Sequence, residues 1–152
     1  MERSDMLRLE QQVCFSLYAC SREVTKIYRP FLDKMGLTYT QYITMLALWE
    51  EDNVPVKALG ERLYLDSGTL TPLLKKLEAA GYVVRERDVK DERSVLVRLT
   101  GPGRALREQA LDLPYELFCR LGLTVEQTAM LRETLQQLTE SIHQHTREDD
   151  ER

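Results

Sequence analysis

The stretch from Pro55 to Leu99 constrains this chain most, because it places several short elements in an order that few architectures accept. Pro55-Val56 opens a short helical stripe of Val56, Leu59 and Leu63. Asp66-Ser67 can cap a second helix bearing Leu70, Leu73, Leu74 and Leu77, which Gly81 ends. Tyr82 to Arg87 and Ser94 to Leu99 then read as strands, and the polar run Asp88 to Arg93 closes them into a hairpin. A short helix, a tight turn, a second helix and a hairpin make a winged helix-turn-helix.

The flanks read as helix. Val13, Leu17, Cys20, Val24, Ile27 and Phe31 recur at alternating steps of four and three, which predicts a helix from about Asp5 to Lys34. Pro30 predicts a kink or an early stop, and Gly36 a terminus. Thr38 and Gln41 form a capping box for a helix through about Glu50. After Gly101-Pro102-Gly103 the helical period runs through about Leu121. A second box, Thr124 with Gln127, starts a last helix striped by Thr128, Leu131, Leu135, Leu138 and Ile142. The expected fold is mainly α. Residues 1–35 and 102–146 form a helical dimerisation region, 38–100 the winged helix-turn-helix, and 147–152 a frayed tail.

Composition narrows the function classes. At 152 residues the chain has the length of one domain or one subunit of an obligate dimer. With 43% hydrophobic residues, 7 Gly and 5 Pro, it can bury a core and is neither collagen-like nor disordered. Its apolar runs are too short to cross a membrane, and the charged start Met1-Glu2-Arg3-Ser4-Asp5 lacks a leader's apolar block. Three cysteines do not make a secreted disulfide framework, so a cytoplasmic protein is expected. His143 and His145 are isolated from other ligand types, which predicts no metal site. No phosphate-binding glycine loop or nucleophile triad appears, so neither a cofactor nor an enzyme is expected. A thiol peroxidase, the enzymatic rival, would need a redox-partner motif such as Cys-x-x-Cys, which this sequence lacks.

The charge is unevenly placed. Residues 57–107 hold 11 Lys/Arg against 7 Asp/Glu, whereas the other 101 residues hold 10 against 18. A basic middle in an acidic frame suits a sub-region that meets phosphates. The second helix must carry small polar residues at its N-terminal end, where they reach base edges. Ser67, Gly68, Thr69 and Thr71 are such residues, and Lys75 and Lys76 follow one to two turns on. Arg85, Arg87, Lys90 and Arg93 surround the hairpin tip, where a guanidinium can enter a minor groove. The same charges would also serve a merely solvated hairpin. Pro72 has no account at this level, because it deletes a backbone hydrogen bond inside the second helix.

The run Leu65-Asp66-Ser67-Gly68-Thr69-Leu70-Thr71-Pro72-Leu73-Leu74-Lys75-Lys76-Leu77-Glu78, followed by Asp91-Glu92-Arg93-Ser94-Val95, resembles the MarR family of bacterial transcription regulators. The resemblance extends from Glu10 to about His143 and is closest to the organic-hydroperoxide-sensing, OhrR-like branch. It implies a two-fold homodimer interlocked through its first and last helices, repressing genes from a pseudopalindromic double-stranded operator. The family's wing pairs an Asp with an Arg, and Asp91 and Arg93 match that pair. This makes Arg93 the expected minor-groove contact, oriented by Asp91.

Cys14 taken alone reads as a small buried hydrophobe. At about 100° per residue, Tyr18 and Tyr28 lie about 40° to either side of it on one helix face. Tyr28 is nevertheless ~21 Å along the axis, so it can meet Cys14 only from a second chain packed antiparallel. A position about three turns into the expected helix leaves Cys14 little help from the helix dipole. Phenolic donors could supply it instead, with Phe15 and Tyr39 walling the site. The resemblance implies that Cys14 is the peroxide-reactive thiol, that Tyr18 and Tyr28 come from the partner, and that the chain is of the two-cysteine type. Cys119 then resolves a Cys14 sulfenic acid into an intersubunit disulfide. Otherwise it is a buried cysteine beside Phe118. Cys20 reads as packing. The alternative function is a MarR-type regulator released by a small phenolic ligand.

Overall fold

The computed structural model describes residues 5–150. Two 3-10 turns, Asp5–Leu7 and Leu9–Gln11, precede α1 (Val13–Met35) and α2 (Tyr39–Glu50). Next come β1 (Val54–Pro55), α3 (Val56–Leu63), α4 (Ser67–Ala79), β2 (Val83–Arg87) and β3 (Val95–Leu99). The chain ends with α5 (Gly101–Ala110), α6 (Leu113–Leu121) and α7 (Val125–Asp150). The fold is mainly helical, with a small antiparallel sheet. It forms two compact units that divide between Pro114 and Tyr115.

Local chemistry sets most boundaries. Thr38 Oγ1 accepts the Gln41 N–H while the Gln41 side chain accepts the Thr38 N–H, which starts α2 as a full capping box. Thr124 and Gln127 repeat the exchange at α7. Asp66 caps α4 by accepting the Thr69 N–H at 2.8 Å. Pro72 lies inside α4 without stopping it. The carbonyl it fails to satisfy is that of Gly68, an exposed residue whose oxygen water can serve.

Three expectations are corrected. The first helix begins at Val13, not near Asp5, because Gln12 is extended (φ −86°, ψ 110°) and separates it from the two 3-10 turns. α1 then continues through Pro30 to Met35 without an early stop. The helix expected from Gly101 to Leu121 is two helices, α5 and α6, since Pro114 cannot donate back to the Ala110 carbonyl. The last helix extends to Asp150, and residues 151–152 of the expected tail lie outside the described residues. The two-residue strand β1 was not legible.

The sheet order is β1-β3-β2, with Val83 opposite Leu99 and Arg87 opposite Val95. β1 pairs Val54 with Val97. The core of the first unit gathers Tyr42, Met45 and Leu48 of α2 with Leu70, Leu74 and Leu77 of α4, closed by Val83 and Val97 of the sheet. This fixes α4 by its leucine face and leaves its opposite face outward.

The hairpin base is fastened to α5. Thr100 donates its N–H to the Tyr82 carbonyl at 3.0 Å and its hydroxyl to Gly81 O at 2.5 Å, and its Oγ1 accepts the Gly103 N–H. A Cβ on Gly103 would lie 2.0 Å from the Tyr82 carbonyl oxygen, so only glycine permits this approach. Trp49 Nε1 donates to Gly103 O at 2.9 Å and adds α2 to the junction.

Candidate nucleic-acid interface and thiol site

The N-terminal turn of α4 presents Ser67, Gly68 and Thr69 to solvent. Thr71 is half-buried, and Lys75 and Lys76 are exposed one to two turns further along. These are the side chains expected to meet DNA from α4, and one helix face holds them outward while Leu70, Leu73, Leu74 and Leu77 are buried.

The hairpin divides its arginines. Arg85 is held back against α4: its Nη2 and Nε donate to Glu78 Oε2 at 2.9 and 3.2 Å, and its backbone N–H donates to Glu78 Oε1. These donors hold the Glu78 carboxyl below the usual range, the Arg85 side-chain hydrogen bond contributing most. Arg85 therefore staples strand to helix. Arg87, Lys90, Asp91 and Arg93 are exposed at the tip. Asp91 shapes that tip by accepting the Arg93 N–H at 3.1 Å on its side chain and the Ser94 N–H at 2.9 Å on its carbonyl.

The late start of α1 changes the setting of Cys14. With Gln12 as N-cap, Cys14 is the second residue of the helix, in its first turn. The first-turn N–H groups lack helical acceptors, and the dipole's positive end favours negative charge there. All three cysteines, Cys14, Cys20 and Cys119, are free and exposed in the single chain, so the packing role expected of Cys20 is not met within it.

The tyrosines fall into two groups. Tyr28 packs against Tyr39, ring centroids 5.0 Å apart, and against Tyr42 at 5.7 Å. Burial, reinforced by Tyr39 and Tyr42, raises the Tyr28 pKa far above the ordinary phenol value, so its hydroxyl stays a donor. Burial also raises Tyr39, and burial followed by Tyr39 raises Tyr42. Tyr18 stands apart, exposed, with the Arg22 guanidinium 5.5 Å from its ring centroid and Arg22 Nη1 donating to its hydroxyl at 3.3 Å. Phe15 is 38% exposed beside Cys14 in sequence. Tyr28 and Cys14 lie on one unbroken helix, which keeps them ~21 Å apart within a chain. Tyr42 was missed in the sequence because its place in a helix core hid its share in the cluster.

In the second unit, Tyr115 is hydrogen-bonded to Cys119 one turn on, and this bond is the main cause of its raised pKa. α7 buries none of its described residues, and Met130, Leu131, Leu135, Leu138 and Ile142 remain exposed. No group of three or more His, Cys, Asp or Glu side chains among the described residues could hold a metal. No described helix is long and apolar enough to cross a membrane.

Comparison with known proteins places this geometry. Residues 26–109 match the model of the transcriptional regulator SarA/Rot family. The organic hydroperoxide resistance transcriptional regulator of Bacillus subtilis (strain 168) is 49% identical over 140 residues, covering 92% of this chain and 95% of its own. Reduced AbfR bound to DNA is 35% identical with a TM-score of 0.72, covering 93% of this chain and 99% of its own. The AbfR structures include a protein of Staphylococcus epidermidis. Disulfide-formed AbfR is also 35% identical, with a TM-score of 0.64, covering 93% of this chain and 97% of its own.

Proposed function

The chain belongs to the MarR/SarA-type family of DNA-binding transcription regulators, and on that premise we propose that it is a homodimeric repressor which releases its operator when an organic hydroperoxide oxidises Cys14. The observation that carries the proposal is the place of Cys14, exposed in the first turn of α1, where backbone N–H groups without helical acceptors lie beside its sulfur. The Bacillus subtilis relative, named for organic hydroperoxide resistance, supports the choice of oxidant.

The dimer supplies what one chain lacks. The uncovered apolar stripe of α7 and the exposed Val13, Phe15 and Tyr18 of α1 are surfaces that a second copy covers. Tyr28 reaches Cys14 only from that copy, arriving with its hydroxyl protonated and braced by Tyr39. The Cys14 thiolate attacks the distal peroxide oxygen, the O–O bond breaks, the alkoxide leaves and takes a proton from water, and Cys14 becomes a sulfenic acid. The Cys119 thiolate of the partner then attacks that sulfur, expelling hydroxide and forming the intersubunit disulfide. The existence of a disulfide-formed AbfR supports this second step. On DNA, Ser67, Gly68, Thr69 and Thr71 meet the major groove, while Lys75, Lys76, Arg87 and Arg93 meet phosphates or the minor groove and Asp91 shapes the wing.

Intact mass under non-reducing conditions, after about one equivalent of cumene hydroperoxide, tests the scheme. A covalent dimer is expected that disappears in Cys14→Ser and in Cys119→Ser. A monomer heavier by oxygen retains Cys14 as the sensor and removes Cys119 from the scheme. An unchanged mass overturns both steps.

A further inference from the structure

We infer that the cavity between α2, β3 and α5 binds a small carboxylic acid with an apolar body, its carboxylate on the Arg107 guanidinium and its body against Trp49 and Leu99. This site shares no residue with the thiol site or with the DNA-facing set, and binding there does not require the peroxide scheme.

The cavity has a volume of about 330 Å³ and is lined by Leu48, Trp49, Asp52, Leu99, Arg104 and Arg107. That volume suits a small organic molecule. Leu48 and Leu99 belong to the core and give the cavity apolar walls. Trp49 is fixed in place, because its Nε1 donates to Gly103 O at 2.9 Å. The indole has thereby spent its one donor, and what it offers a ligand is apolar ring surface.

The charged groups do not cancel. Asp52 is engaged on both oxygens, by the N–H groups of Leu99 and Asn53 on one and by Arg104 Nη2 on the other. Arg107 lies one turn beyond Arg104 on the same face of α5. It is exposed, and no hydrogen bond or ion pair engages it among the described residues. Two arginines against one aspartate leave the cavity with a surplus cation, and that cation is Arg107. A carboxylate matches a guanidinium through two parallel N–H donors, and an apolar body is drawn from water onto the leucines and the indole. A bare anion would leave those walls unused. A neutral apolar molecule would leave the guanidinium unmatched.

Trp49 is the only tryptophan in the chain, so its fluorescence reports on this cavity directly. Cyclohexanecarboxylate, which does not absorb where tryptophan is excited, is titrated into the reduced protein. Cyclohexanecarboxamide and inorganic phosphate are titrated in parallel. The expected result is a saturable change with a midpoint of ~1 mM for the acid, and binding roughly tenfold weaker or more for the amide and for phosphate. Arg107→Gln is expected to keep the wild-type Tm, to weaken the acid roughly tenfold and to leave the amide unchanged. No saturable change with the acid overturns the inference. So does an amide that binds as well as the acid, which marks an apolar hollow, or phosphate that binds as well, which marks a bare anion site. Wild-type affinity for the acid in Arg107→Gln also overturns it, as does a fall in Tm, which marks Arg107 as structural.

Discussion

The Asp52 carboxylate accepts the backbone N–H of Leu99 at 2.8 Å, joining the loop after α2 to the last residue of the wing across 47 positions of sequence. Its other oxygen accepts Arg104 Nη2 at 2.7 Å, and the Asn53 N–H adds a third donor at 2.7 Å. Burial pushes the Asp52 carboxyl upward, but the hydrogen bonds from Leu99, Arg104 and Asn53 outweigh it and hold the group below the usual aspartate range.

Asp52→Asn is therefore expected to lower stability by about 1–3 kcal/mol at neutral pH. A carboxyl whose pKa is lower when folded contributes fully above its unfolded pKa and loses that contribution as pH falls through the folded value. Thermal denaturation across a pH series should show wild type and variant converging in acid. A gap that stays constant with pH would assign the effect to packing.

The wing arginines should separate into two behaviours. Arg85→Ala breaks the staple to Glu78 and is expected to cost about 1 kcal/mol of stability with little change in DNA affinity. Arg93→Ala should leave denaturation unchanged, weaken DNA binding, and reduce the salt slope by about 1 for each protomer. Equal affinity losses in both variants would contradict this division of labour.

Cys14→Ser is expected to bind DNA as the wild type does and to stay bound when organic hydroperoxide is added. The readout is fluorescence anisotropy of a labelled duplex during peroxide titration. Release of DNA by the variant would move the sensing function to another residue.

Leu135→Lys places a charge in the uncovered stripe of α7. Sedimentation should then show a shift from dimer to monomer, with DNA affinity falling because two linked half-sites are no longer held by one particle. A variant that remains fully dimeric would direct attention to α1 as the main contact.

Much of the fold was legible because its signals are local. Thr38 with Gln41, Asp66 before Ser67, and Thr124 with Gln127 announce helix starts within four residues, and the structure places each of them as read. The valine-bearing runs that became β2 and β3 and the leucines of α4 were equally plain. The misreadings have specific causes. Met6, Leu7 and Leu9 imitate a helical stripe ahead of Val13, so the sequence alone set Cys14 deep in a helix instead of in its first turn. Pro114 was passed over in the sequence, because the helical period continues on both sides of it. The tie between Asp52 and Leu99, the staple between Arg85 and Glu78, and the clustering of Tyr42 with Tyr28 join residues whose proximity only the folded chain creates. A positive φ at Tyr64 carries no sequence signal, since the usual markers of that conformation are glycine and asparagine.

The junction of Thr100, Gly103 and Tyr82 gives the wing no hinge of its own. With no gap between the first turn of α5 and the start of β2, the hairpin behaves as a lever arm whose fulcrum is the helix. Its strands of five residues extend ~17 Å from that fulcrum, so a tilt of α5 by ~5° sweeps the tip through ~1.5 Å. That travel is half a hydrogen-bond length, enough to unseat an arginine from a groove. A chemical event that tilts α5 can thus be read at the wing tip without touching a single residue that faces DNA.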